Sequence, residues 1–206
     1  MPSPGASSLK HLSRRKKAPF LRTILIAAVA LPIPAFAASP LPPLVETVVK
    51  NDAKRTAALI REGADVNVFQ EGMDTPLVEA VDREPSKFNL EILKLLLGAK
   101  DIQVNKYSAL SMGSYVWERT PLIAAAYNGN AEAVKLLLAK GAKVDLTDTY
   151  YPISDVLGPE PRSTALTWAA TRGHYDVVVL LVEAGARIEW VNANAITPLI
   201  AAASNV

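Results

Sequence analysis

The sequence predicts an all-α solenoid of about four to five stacked helix–turn–helix repeats, joined by β-hairpin-like fingers. Three observations predict it. Thr-Pro-Leu recurs at 75–77, 120–122 and 197–199, with Thr164-Ala165-Leu166 in the same place. Behind it come apolar trios spaced i, i+3, i+4: Leu77/Ala80/Val81, Leu122/Ala125/Ala126 and Leu166/Ala169/Ala170, each one face of a helix. Glycines then punctuate the pattern, Gly129 and Gly173 between paired helices, Gly141 and Gly185 after them, where a left-handed residue ends a helix.

Taken in order along the chain, residues 1–38 read as a secretory signal. The basic run "RRKK" comes first, then the apolar run 23–38, too short to span a bilayer comfortably, then small residues at Ala35 and Ala37 suited to cleavage after Ala37 or Ala38. "SRR" at 13–15 hints at twin-arginine export, but Phe20-Leu21 sits too far along, so general secretion is the expectation. The domain at 39–206 begins with a weak unit, 42–67, whose Glu46, Lys50 and Asn51 suit an end cap facing water. Three fuller units follow at 75–105, 120–145 and 164–189. In each, threonine caps the first helix, and proline, where present, takes a first-turn position whose N–H has no partner anyway. The second helices offer Leu93/Leu96/Leu97, Val134/Leu137/Leu138 and Val178/Leu181/Val182. Extended pairs Val66-Asn67, Val104-Asn105 and Val144-Asp145 lead toward the next threonine. A partial unit, 197–206, supplies one helix, and the outer face of Leu181 and Val182 is expected to be incompletely covered.

Thr-Pro-Leu, the double alanine, the glycine between helices, Leu-Leu and the terminal Gly-Ala recur in register. On these motifs the segment from Pro42 to Val206 resembles the ankyrin-repeat family. The resemblance implies stacked helix pairs with projecting fingers and a concave face that binds proteins. It also implies a structural role for His174, which opens a helix in "GHYDVV". The spacing departs from the family's period of about 33 residues. Successive threonines lie 45, 44 and 33 positions apart. The surplus falls in the inter-helix turn "DREPSKFN" at 82–89 and in two enlarged fingers, 106–119 and 146–163.

Composition narrows the function classes. The chain has 22 basic and 20 acidic residues, but six of the basic ones precede residue 39, where no acid occurs. What remains is 16 basic against 20 acidic residues, a balance of −4 that gives nucleic acid no basic stripe. With no cysteine, disulfides, thiol catalysis and cysteine zinc sites are absent. Two histidines, no nucleophile elbow and no phosphate loop leave no catalytic constellation, so no cofactor, metal or enzymatic activity is expected. An unrecognised site in the 146–163 finger, using Asp148, Asp155 or Glu160, is the enzymatic alternative. After signal cleavage no segment requires a membrane.

Binding candidates concentrate in the fingers. Segments 68–74, 106–119, 146–163 and 190–196 make up 46 of the 168 residues after the leader, yet hold seven of their eleven aromatics. These are Phe69, Tyr107, Tyr115, Trp117, Tyr150, Tyr151 and Trp190. Arg119 and Arg162 flank the long fingers, and tyrosine or tryptophan beside arginine is the composition of protein interfaces. On the concave face Asp82, Arg83, Tyr127, Asn128, Thr171 and Arg172 turn away from the apolar trios. Trp168 is expected in the core, Asp148 on a polar finger. The expected activity is therefore binding of another protein in the periplasm or outside the cell. The alternative is self-association through the C-terminal end.

Overall fold

Threonine opens the inner helices where the sequence places them. In the computed structural model, which describes residues 40–70, 72–112, 115–152, 161–192 and 194–204, the hydroxyls of Thr75, Thr120, Thr164 and Thr197 each accept the backbone N–H three residues on. The leader, Asp155 and Glu160 lie outside the described residues. The inner row is α1 (Pro43–Val49), α3 (Pro76–Val81), α5 (Pro121–Tyr127), α7 (Ala165–Thr171) and α9 (Pro198–Ala203). The outer row is α2 (Ala53–Arg61), α4 (Leu90–Gly98), α6 (Ala131–Ala139) and α8 (Tyr175–Glu183). Each inner helix packs on the next inner helix, each outer helix on the next outer one, and α1, α3, α5 and α7 also on the outer partner that follows. The long turn 82–89 holds a 3-10 turn at Pro85–Lys87, and Asn89 then caps α4.

One continuous core runs through the stack. It joins Leu77, Leu96, Leu122, Leu137, Leu166 and Leu181, all at most 2% exposed. The alanines do what their size allows. Ala125, Ala126 and Ala169 are fully buried, so neighbouring inner helices approach closely. Gly129 combines two constraints. It has φ +73°, and a Cβ there would stand 2.5 Å from Nδ1 of His174 in the next repeat. That imidazole in turn lies 3.0 Å, through Nε2, from the Tyr127 carbonyl, the turn-bonding role expected for it.

The fold is not all-α. Strands β1 (Ser108–Met112), β2 (Tyr115–Arg119), β3 (Thr147–Pro152) and β4 (Pro161–Thr164) form one antiparallel sheet in that order. The two enlarged fingers are the hairpins β1–β2 and β3–β4, and β2 pairs with β3 through Trp117↔Tyr150 and Glu118↔Thr149. Fingers long enough to be strands satisfy their backbone groups against each other instead of against water. Gly72, in the first finger, bridges to Leu110 and extends the contact.

Candidate binding site

Strand pleat decides which finger residues face the helices. Tyr115, Trp117 and Arg119 share one side of β2 by the two-residue period. Near the helices that side is covered, and Trp117 is 8% and Arg119 0% exposed. Both were expected on the partner surface; the sheet turns them inward instead. Arg119 Nη2 donates to Asp74 Oδ2 at 2.8 Å and also to Asp82. Asp74 Oδ1 accepts from Ser108 Oγ at 2.8 Å, and the same hydroxyl accepts the Thr75 N–H. Asn128 donates to Asp82 Oδ1 at 2.8 Å. Asp82 and Asn128, expected as free concave-face residues, thus belong to a cross-repeat ion cluster. Nε and Nη1 of Arg119 have no acceptor among the described residues, and its guanidinium lies 4.2 Å from the Trp117 ring centre, which takes part of that polar load. Burial raises the Asp74 carboxyl above its ordinary pKa, outweighing Arg119 and Ser108, with Asp82 adding to the rise. Nearby, Arg83 pairs with Glu79 at 2.8 Å and donates to the Val49 carbonyl of the first repeat at 3.2 Å. Burial likewise raises Glu79, against the pull of Arg83.

Beside this cluster stands an aromatic group the sequence reading did not assemble. Trp117, Tyr127 and Trp168 meet edge to face, with centroids 5.1, 5.8 and 5.2 Å apart. The indole N–H groups of Trp117 and Trp168 both donate to Asp148 Oδ2 at 2.8 Å, and Oδ1 accepts the Ser163 N–H at 2.7 Å. Asp148 is therefore fully buried, not a polar finger tip, and Trp168 is half-buried at the wall of a cavity. That cavity, about 380 Å³, is lined by the aromatics and by Asn192, Asn194 and Ile196 of the last finger. Period-two spacing in Tyr115-x-Trp117-x-Arg119 and Asp148-x-Tyr150 is the signal in the hairpin-like fingers that sorts their residues by face.

The remaining candidates divide by exposure. Phe69, Tyr107 and Tyr115 are exposed at 47%, 38% and 40%. Tyr115 stacks on half-buried Tyr150 with centroids 4.9 Å apart, and the Tyr107 hydroxyl donates to the Thr147 carbonyl at 2.9 Å. Burial, then Asp148 and Glu118, raises the Tyr107 phenol above its ordinary pKa. Arg172 is exposed and holds its guanidinium 4.0 Å over Tyr127, which is half-buried. Trp190 is half-buried, its Nε1 without an acceptor among the described residues. The side chains of Tyr151 and Arg162 lie outside the described residues. Among the described residues no group of three or more His, Asp or Glu could hold a metal ion, and no helix is long and apolar enough to cross a membrane.

The family model for ankyrin repeats, in three copies, matches residues 44–148 and 86–192. The chain belongs to the ankyrin-repeat family. Ankyrin repeats form protein–protein interaction modules and are generally non-catalytic. Similar stretches occur in the human ankyrin repeat and KH domain-containing protein 1 and in the human and mouse ankyrin repeat domain-containing protein 17. Each is 43% identical over 79 residues, 38% of this chain but 3% of the relative. The Drosophila melanogaster ankyrin repeat and KH domain-containing protein mask is 40% identical over 80 residues, 39% of this chain and 2% of its own. The likeness is thus one of ankyrin repeats, over a small fraction of those proteins' length.

Proposed function

We propose that this ankyrin-repeat protein is exported and holds another protein against its fingers and adjoining concave face, without chemistry of its own. The observation that carries the reading is the exposed aromatic set Phe69, Tyr107 and Tyr115 on the finger side. Rigid aromatic anchors lose little entropy on binding; Tyr115 is held in β2, and the Tyr107 hydroxyl is tied to the Thr147 carbonyl beforehand. Arg172, held over Tyr127, adds a preoriented cation at the concave edge. The basic-then-apolar order of residues 1–38 supports export, and a periplasmic accessory or scaffolding role fits a module of this kind. The test is cross-linking capture from the exported fraction, comparing the wild type with Phe69→Ala/Tyr107→Ala/Tyr115→Ala. The expected result is one partner lost in the triple variant at unchanged helicity. Identical captured sets from both proteins would refute the finger assignment.

A second reading has its own observation. A groove of about 820 Å³ between α8 and α9 exposes Tyr175, Val182, Ile188 and Leu199, at 76%, 46%, 59% and 76%. An apolar surface of this kind favours self-association. Light scattering across a dilution series checks it: a dimer abolished by Leu199→Ser is expected, and a monomer at every concentration would exclude it.

A further inference from the structure

The cavity beside Trp168 points to a ligand of its own. At about 380 Å³ it lies in the range of small-molecule sites, and four of its eleven lining residues are rings: Trp117, Tyr127, Tyr150 and Trp168. We propose that it binds a small organic cation whose charge sits on a methylated ammonium, such as a choline-type head. The reading is independent of any protein partner.

Three observations select that chemistry. First, the acceptors of Asp148 and Asn192 and the hydroxyl of Thr171 at the cavity wall are engaged within the protein. Asp148 accepts two indole N–H groups and the Ser163 N–H. The Asn192 side-chain oxygen accepts from the backbones of Asn194 and Ile196, and Thr171 donates to the Thr167 carbonyl. A sugar, or an ammonium with N–H donors, needs acceptors aimed at it. A methylated ammonium presents only C–H groups and is served by ring faces. Second, a carboxylate that accepts an indole N–H pushes electron density into that ring, and Asp148 does this to two of the four walls. Third, the cluster already attracts delocalised cations. Guanidinium groups of the protein lie 4.2 Å from the Trp117 centroid and 4.0 Å from that of Tyr127. Trp168 carries no guanidinium among the described residues, and it lines the cavity.

Intrinsic fluorescence tests this directly, because Trp117 and Trp168 are wall residues. The full chain is titrated with choline and tetramethylammonium chlorides against sodium chloride at equal ionic strength. 3,3-Dimethylbutan-1-ol serves as the uncharged isostere of choline. Saturable responses to both cations are expected, with the neutral alcohol binding about thirtyfold more weakly, the factor carried by one desolvated cation–π contact. Trp168→Leu removes the ring that carries no guanidinium among the described residues, and Ile196→Trp adds bulk at the cavity wall; each abolishes the response at unchanged circular dichroism, with Trp168→Leu melting lower because Asp148 loses a donor. Should Trp168→Leu fail to fold, Ile196→Trp decides alone. Equal affinity for the neutral alcohol would make this an apolar cavity and overturn the proposal. So would no response to either cation, or wild-type affinity in a folded variant.

Discussion

Arg119 shows how a side chain read as a contact residue becomes a structural one. Its position, the residue before the threonine cap, is occupied by Asp74 in the preceding repeat, so stacking sets the two opposite charges face to face. A fully buried guanidinium held by two carboxylates is a costly arrangement that becomes far costlier with one partner missing. Arg119→Ala is therefore expected to lower the unfolding free energy by about 3–5 kcal/mol at neutral pH, read by urea denaturation. The sign of its pH dependence follows from Asp74. Burial already holds that carboxyl above 3.8, so the native state favours the protonated form. The stability linked to Asp74 is greatest below 3.8 and falls as pH rises through its folded pKa. Removing Arg119 takes away the main influence pulling that pKa down. The penalty of Arg119→Ala should then shrink as pH is lowered and Asp74 takes up its proton. A penalty that grows on acidification would show that the ion pair does not govern the site.

At the scale of the element, the extended segments after each helix pair form a ladder. Asn67 Oδ1 accepts the Gln103 N–H, Asn105 Oδ1 the Lys143 N–H, and Asp145 Oδ1 the Arg187 N–H, at 2.8, 2.8 and 2.9 Å. Each repeat thus satisfies a backbone donor of the next. Asn67 is the most enclosed and also donates to the Asp101 carbonyl at 2.7 Å. Asn67→Ala should cost about 1–3 kcal/mol, more than Asp145→Ala at the exposed end, measured by paired thermal melts. Equal losses would mean that burial does not set the worth of a rung. The helices and their ladder were legible because capping, the i, i+3, i+4 trios and the recurring Val-Asn pairs are local signals repeated in register. The sheet was not, since β2–β3 pairing joins residues about thirty positions apart. With it went the positions of Trp117 and Arg119, the burial of Asp148, and the cavity that Trp168 lines. Phe69 and Tyr107 lie outside the strands, and Tyr115 stands at the end of β2 away from α5, so all three stay exposed.

At the scale of the whole stack, the helices of the described residues pack chiefly on those of neighbouring repeats, so stability is a sum of unit and interface contributions. The middle of the stack has neighbours on both sides. All residues of α5 from Pro121 to Ala126 are buried, whereas α9 buries Pro198 and Ala201 and exposes Leu199 and Ile200. In the first repeat the buried Thr56 hydroxyl donates to the Asp52 carbonyl at 2.7 Å and ties the start of α2. Opening should therefore start at α9 and spread inward, leaving α5, α6 and α7 to exchange only on global unfolding. Native-state hydrogen exchange checks this: α9 amides should exchange with little protection, and those of α5 and α6 slowest. Leu137→Ala, in the middle of the shared core, should cost about 3–5 kcal/mol and speed exchange throughout the stack. Leu199→Ser, on the exposed side of α9, should stay within about 0.5 kcal/mol and leave α5 untouched. Uniform protection from α1 to α9, with Leu199→Ser acting as strongly as Leu137→Ala, would mean that the repeats unfold as one indivisible body.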